Sequence, residues 1–64
     1  YKMYIFLAHY INMDTGEKIT RGIEFDSASS TLDTEKEIYL YVMAMAYDMR
    51  RYNECFDSLE FIAG

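Results

Sequence analysis

Sixty-four residues, 52% hydrophobic and 27% charged, describe one folding domain spanning 1–64, too short for two cores and too apolar for disorder. Eleven acidic residues against six basic ones give a net charge of −5, which disfavours direct nucleic-acid binding and favours basic partners. A single cysteine, Cys55, and a single histidine, His9, exclude an internal disulfide and a structural zinc site.

The first apolar stretch, residues 3–12, alternates Met3, Ile5, Leu7, His9 and Ile11 against Tyr4, Phe6, Ala8, Tyr10 and Asn12. β-Branched and aromatic residues dominate it, so the pattern predicts a strand rather than a signal peptide. No run reaches the roughly 18 apolar residues of a membrane span, and with no disulfide available the cytoplasm is the expected compartment. A second strand is expected over residues 18–25, where Ile19, Ile23 and Phe25 alternate against Lys18, Thr20, Gly22 and Glu24.

Between them, Met13-Asp14-Thr15-Gly16-Glu17 suits a three-residue hairpin loop closed by a left-handed glycine. That turn pairs Met13 with Glu17. Counting back gives the pairs Ile11–Ile19, His9–Arg21, Leu7–Ile23 and Ile5–Phe25, taken as the inward set. The outward face then carries Tyr4, Phe6 and Tyr10, with Glu24 and Asp26 beside them and a notch at Ala8 and Gly22.

Small polar residues from Asp26 to Thr31 read as a loop. Thr34 and Glu37 have capping-box spacing, and a helix is predicted from about 34 to 52 with Asn53 as its left-handed terminator. Ile38, Tyr41, Val42, Met45, Met49 and Tyr52 form the face assigned to the sheet. Ten consecutive residues, Ile38 to Tyr47, carry no charge, so the helix is apolar on more than one face. Tyr39, Leu40, Met43, Ala44 and Tyr47 are its surplus. A third strand is expected from Ser58 to Ala63, with Leu59 and Phe61 inward and Glu60 outward. The fold class is α+β, order ββαβ, with one helix packed on a three-stranded sheet in spatial order 2-1-3.

Asp14-Thr15-Gly16 resembles the Asp-Thr-Gly loop of retroviral-type aspartic proteases, in which two subunits each contribute a carboxylate. The resemblance covers three residues, which equally supply what a hairpin turn demands, and the turn is the preferred reading. His9 and Cys55 fall on different strands, and an Arg21 opposite His9 would not orient it as a base. Glycine-rich phosphate loops are absent from the sequence. Glu24, Asp26 and Glu60 are spread over the outer face rather than paired for acid–base work.

The sequence therefore predicts a non-enzymatic protein-interaction module, without cofactor, metal, membrane association or small-molecule substrate. Tyr4, Phe6 and Tyr10 are the expected anchors on the sheet, with Glu24, Asp26 and Glu60 meeting a basic partner. Tyr39, Met43 and Tyr47 are the expected contacts on the helix. Small inhibitors encoded by phages and mobile elements, including blockers of nucleic-acid-handling enzymes, share this physical type. The alternative is a structural subunit of a homo-oligomer or virion, pairing through one of these faces. A small hydrolase acting through Asp14 is the remote one.

Overall fold

A computed structural model describes residues 3–27 and 34–64. Strands β1 (Met3–Asn12), β2 (Lys18–Asp26) and β3 (Glu54–Ala63) form one sheet, and helix α1 (Glu35–Asp48) packs on one of its faces. The spatial order is β2-β1-β3, with β1 antiparallel to both neighbours, so β2 and β3 run parallel to each other. This is the ββαβ arrangement expected from the sequence. The polar loop expected beyond Ser27 lies outside the described residues.

The register of the hairpin differs from expectation by one residue. Asn12 N–H donates to the Glu17 carbonyl at 2.8 Å, so Met13 to Gly16 make a four-residue turn, not a three-residue one. Asn12 is the cause. Its side-chain oxygen accepts from the backbone N–H of Asp14 at 2.9 Å and of Thr15 at 3.1 Å, folding the chain one residue early. Gly16, at φ 76°, closes the turn in the left-handed region, as its position in the sequence suggests.

A one-residue slip turns every side chain of a strand to the other face. Tyr10 therefore pairs with Ile19, Ala8 with Arg21, Phe6 with Ile23 and Tyr4 with Phe25. These residues face the helix, and Tyr4, Phe6, Ala8 and Tyr10 are buried in the core with Ile23, Phe25 and Leu59. Ile5, Leu7, His9 and Ile11, expected inside, line the open face instead.

The helix begins where the sequence indicates. The Thr34 hydroxyl accepts from Glu37 N–H at 3.2 Å and donates to the Glu37 carboxylate at 2.8 Å, while Glu35 and Glu37 suit the positive end of the helix dipole. It ends four residues early, at Asp48. Met49 and Arg50 N–H groups bond back to Ala46 and Tyr47 carbonyls, tightening the last turn, and Met49 caps in the right-handed region. Among the described residues only Gly16 has positive φ, so Asn53 is not a left-handed terminator. The chain after Met49 is needed to reach the sheet. Asn53 carbonyl accepts from Met13 N–H at 2.8 Å, and β3 starts at Glu54 rather than Ser58.

Ile38, Val42 and Ala46 form the buried stripe of the helix. Ala46, unassigned from sequence, ends the stripe, where the Tyr10 hydroxyl reaches its carbonyl and a larger side chain would hold the helix off the sheet. Tyr41 and Met49 are exposed rather than inward, and Tyr52, beyond the helix end, is wholly exposed.

Candidate interaction surface

Three strands each turn one face away from the helix, and the central one supplies its apolar content. Met3, Leu7, His9 and Ile11 are half-buried there, and Ile5 is exposed. β2 places Lys18 beside Ile11, Thr20 beside His9, Gly22 beside Leu7, Glu24 beside Ile5 and Asp26 beside Met3. On the other side, β3 places Glu60 beside Leu7, Ser58 beside His9 and Cys55 beside Ile11. The result is an aliphatic stripe bordered on both sides by carboxylates, with Lys18 at the hairpin end.

Glu24, Asp26 and Glu60 thus occupy the face expected of them, with β1 separating Glu60 from the other two. The anchors differ. Tyr4, Phe6 and Tyr10 are core residues, the last two only 2% and 1% exposed, and cannot meet a partner in this fold. The physical reason is volume. A single helix over three strands leaves a wide gap, which aromatic rings fill and pack edge to face: Phe6 with Phe61 at 5.5 Å, Tyr10 with Phe56 at 5.8 Å, Tyr4 with Phe25 at 6.4 Å. Tyr39 and Met43 also contribute to the core, packed half-buried against its edge, with Tyr39 tilted over Phe6. Tyr47 keeps half its surface exposed, between the Phe56 ring edge and the Arg50 guanidinium 3.7 Å from its ring centre.

His9 crosses the middle of the open face. Its Nε2 lies 3.0 Å from Glu60 Oε1 and its Nδ1 lies 3.1 Å from Thr20 Oγ1. A carboxylate only accepts, so the proton sits on Nε2, and in the neutral ring Nδ1 accepts from the Thr20 hydroxyl. Hydroxyl, imidazole and carboxylate in line are the elements of an acyl-transfer triad. Such chemistry also needs N–H donors aimed at a developing oxyanion, and the backbone of the central strand around His9 pairs in the ladders to β2 and β3. The row ties three strands together across the face and leaves its surroundings aliphatic.

The hairpin end of the core is closed by a pair that sequence reasoning missed. Arg21 on β2, beside Ala8, reaches over Tyr10 to Glu54 on β3, Nη1 to Oε1 at 2.6 Å and Nη2 to Oε2 at 2.7 Å. The guanidinium lies 4.7 Å from the Tyr10 ring centre, and Arg51 N–H adds a third bond to Glu54 at 3.0 Å. The Arg21 fork, assisted by the Arg51 amide, holds the Glu54 carboxyl well below the usual range, from 4.5 to about 2. Burial raises the Tyr10 phenol, with Arg21 opposing. Arg21 therefore faces inward, as expected, but opposite Ala8 rather than His9. Its charged tip on an apolar face called for a carboxylate, which was the available signal.

Asp14 accepts from Asn53 Nδ2 at 3.2 Å, fastening the hairpin turn to the start of β3. Cys55 is exposed. Among the described residues, no three metal-ligating side chains gather at one point, and no helix is long and apolar enough to cross a membrane. Comparison with protein-family models, curated proteins and solved structures finds no match to this chain.

Proposed function

We propose that this chain acts as a non-enzymatic interaction module, binding a basic surface of another protein through the open face of its sheet. One observation carries this reading: the aliphatic stripe Met3, Ile5, Leu7 and Ile11 lies uncovered by the helix and is bordered by Glu24, Asp26 and Glu60. An open sheet face with water as its only neighbour normally carries polar residues along every strand. Here β2 obeys that rule, β3 obeys it at Ser58 and Glu60, and the central strand breaks it.

An apolar centre with a charged border is the anatomy of a protein contact. Ile5 and Leu7 would be the desolvated anchors in place of the aromatic residues, and the carboxylates would choose the partner by charge. Nucleic-acid-handling proteins offer basic grooves of this kind. A −5 chain seated in such a groove would compete with nucleic acid for it, which makes inhibition the specific form of the proposal.

The experiment is photo-cross-linking from position 7, with position 36 on the exposed helix surface as control, in cells that naturally express the chain. A cross-linked basic protein, lost on Ile5→Asp and weakened by salt, supports the proposal. Adducts formed equally well from position 36, or unaffected by Ile5→Asp, overturn it.

A further inference from the structure

The sheet has two edges, β2 and β3, and they are built differently. Against β1, β3 shifts register twice, between Ile5 and Phe6 and between His9 and Tyr10, so its outer backbone groups are unevenly spaced. Such bulges are a common way to blunt an edge. β2 pairs with β1 without interruption from Asp26 to Lys18 and has no such protection.

The phase of its free edge follows from the turn. Because Asn12 N–H bonds to Glu17 carbonyl, alternation points the backbone groups of Lys18, Thr20, Gly22 and Glu24 away from β1. Gly22 is at the middle of that series. A glycine inside a strand costs about 0.5–1 kcal/mol relative to alanine and often marks the close approach of another backbone. Nothing within the chain requires it: its φ is not positive, and a Cβ built there meets no atom within 4 Å.

We propose that β2 pairs antiparallel with β2 of a second copy about a two-fold axis at Gly22, making a continuous six-stranded sheet. The sequence of the edge is self-complementary in that register. Gly22 meets Gly22, Thr20 meets Glu24, and the Lys18 end of each copy meets the Glu24–Asp26 end of the other. On the helix side, Ile19 falls opposite Phe25 of the second copy. That places an apolar side chain beneath Tyr41, whose half-exposed ring overhangs Phe25 at 5.6 Å. Both helices lie on one side of the joined sheet, and both aliphatic stripes lie on the other, still open.

Sedimentation velocity of the full chain, from micromolar to millimolar concentration, tests this. The native chain should pass from single to double mass. Gly22→Pro removes an N–H that faces away from β1, so it should keep the circular dichroism spectrum and stay at single mass. Lys18→Glu, which sets a carboxylate opposite Asp26 of the other copy, should weaken the dimer about tenfold, and Lys18→Glu combined with Asp26→Lys should restore it. A native chain of single mass throughout overturns the proposal, as does a folded Gly22→Pro variant that dimerises like the native chain. Should Gly22→Pro not fold, equal dimerisation of the native chain and both charge variants overturns it.

Discussion

Arg21 and Glu54, on the two edge strands, hold each other across the top of the central strand through paired bonds of 2.6 and 2.7 Å. Strand order makes this possible, since β2-β1-β3 sets those edges either side of β1, where Arg21 pairs with Ala8 and Glu54 with Asn12. The pair covers the Tyr10 ring at the hairpin end of the core.

A pH dependence follows from that pair. Glu54 titrates lower in the folded chain, about 2 against 4.5, so its contribution to stability is complete above 4.5 and is lost as pH falls towards 2. Thermal unfolding between pH 5 and pH 2 should show a falling midpoint, and Glu54→Gln should lower the midpoint at pH 7 while flattening that acid limb. An acid limb unchanged by Glu54→Gln would assign it to other carboxylates.

The two faces of β1 respond differently to truncation. Phe6→Ala opens a cavity among Tyr39, Phe61 and the helix and should cost about 3–5 kcal/mol, enough to unfold much of a domain this small. Ile5→Ala, on the open side, should cost less than about 1 kcal/mol. Urea unfolding of both variants reads the difference directly, and equal costs would contradict the assigned faces.

Tyr10→Phe isolates a single bond. The phenol donates to the carbonyl of buried Ala46 in the last turn of the helix, and its removal should cost about 1–2 kcal/mol without changing the fold. Hydrogen exchange should then quicken in the last turn of α1 more than at Thr34 and Glu37.

Asn12→Ala should cost about 1–2 kcal/mol, because two turn amides lose their acceptor, whereas Asn12→Asp keeps both bonds and should cost less. Denaturation midpoints of the two variants check this. Equal loss in both would remove the side chain from its place as the cause of the four-residue turn.

That turn also explains which parts of the fold were legible in the sequence. The Thr34 cap and the inward set Ile19, Ile23 and Phe25 followed from local pattern, because the cap spacing is specific and β2 alternates cleanly, and the strand order followed from the handedness of the crossover. β1 gave no such guidance, being apolar on both faces. Its orientation rested on counting turn residues, and the Asn12 acceptor that lengthens the turn lies on what read as the last strand residue. Aromatic rings then took the core because they fill the space beneath one helix.

The acidic border was legible for a related reason. Glu24 and Asp26 belong to β2, whose faces were fixed by its own alternation, and Glu60 neighbours the buried Leu59. The Arg21–Glu54 closure was hidden by the expected late start of β3, which left Glu54 outside the sheet. The Thr20–His9–Glu60 row was hidden by the slip itself, which placed His9 opposite Arg21.

The central claim is that Ile5 and Leu7 are the anchors of a protein contact bordered by carboxylates. Photo-cross-linking from position 7 in cells that naturally express the chain tests it most directly. The expected result is a salt-sensitive adduct with one basic protein, absent in Ile5→Asp and not formed from position 36. Adducts from position 36 alone, or a position-7 adduct indifferent to Ile5→Asp, would contradict it.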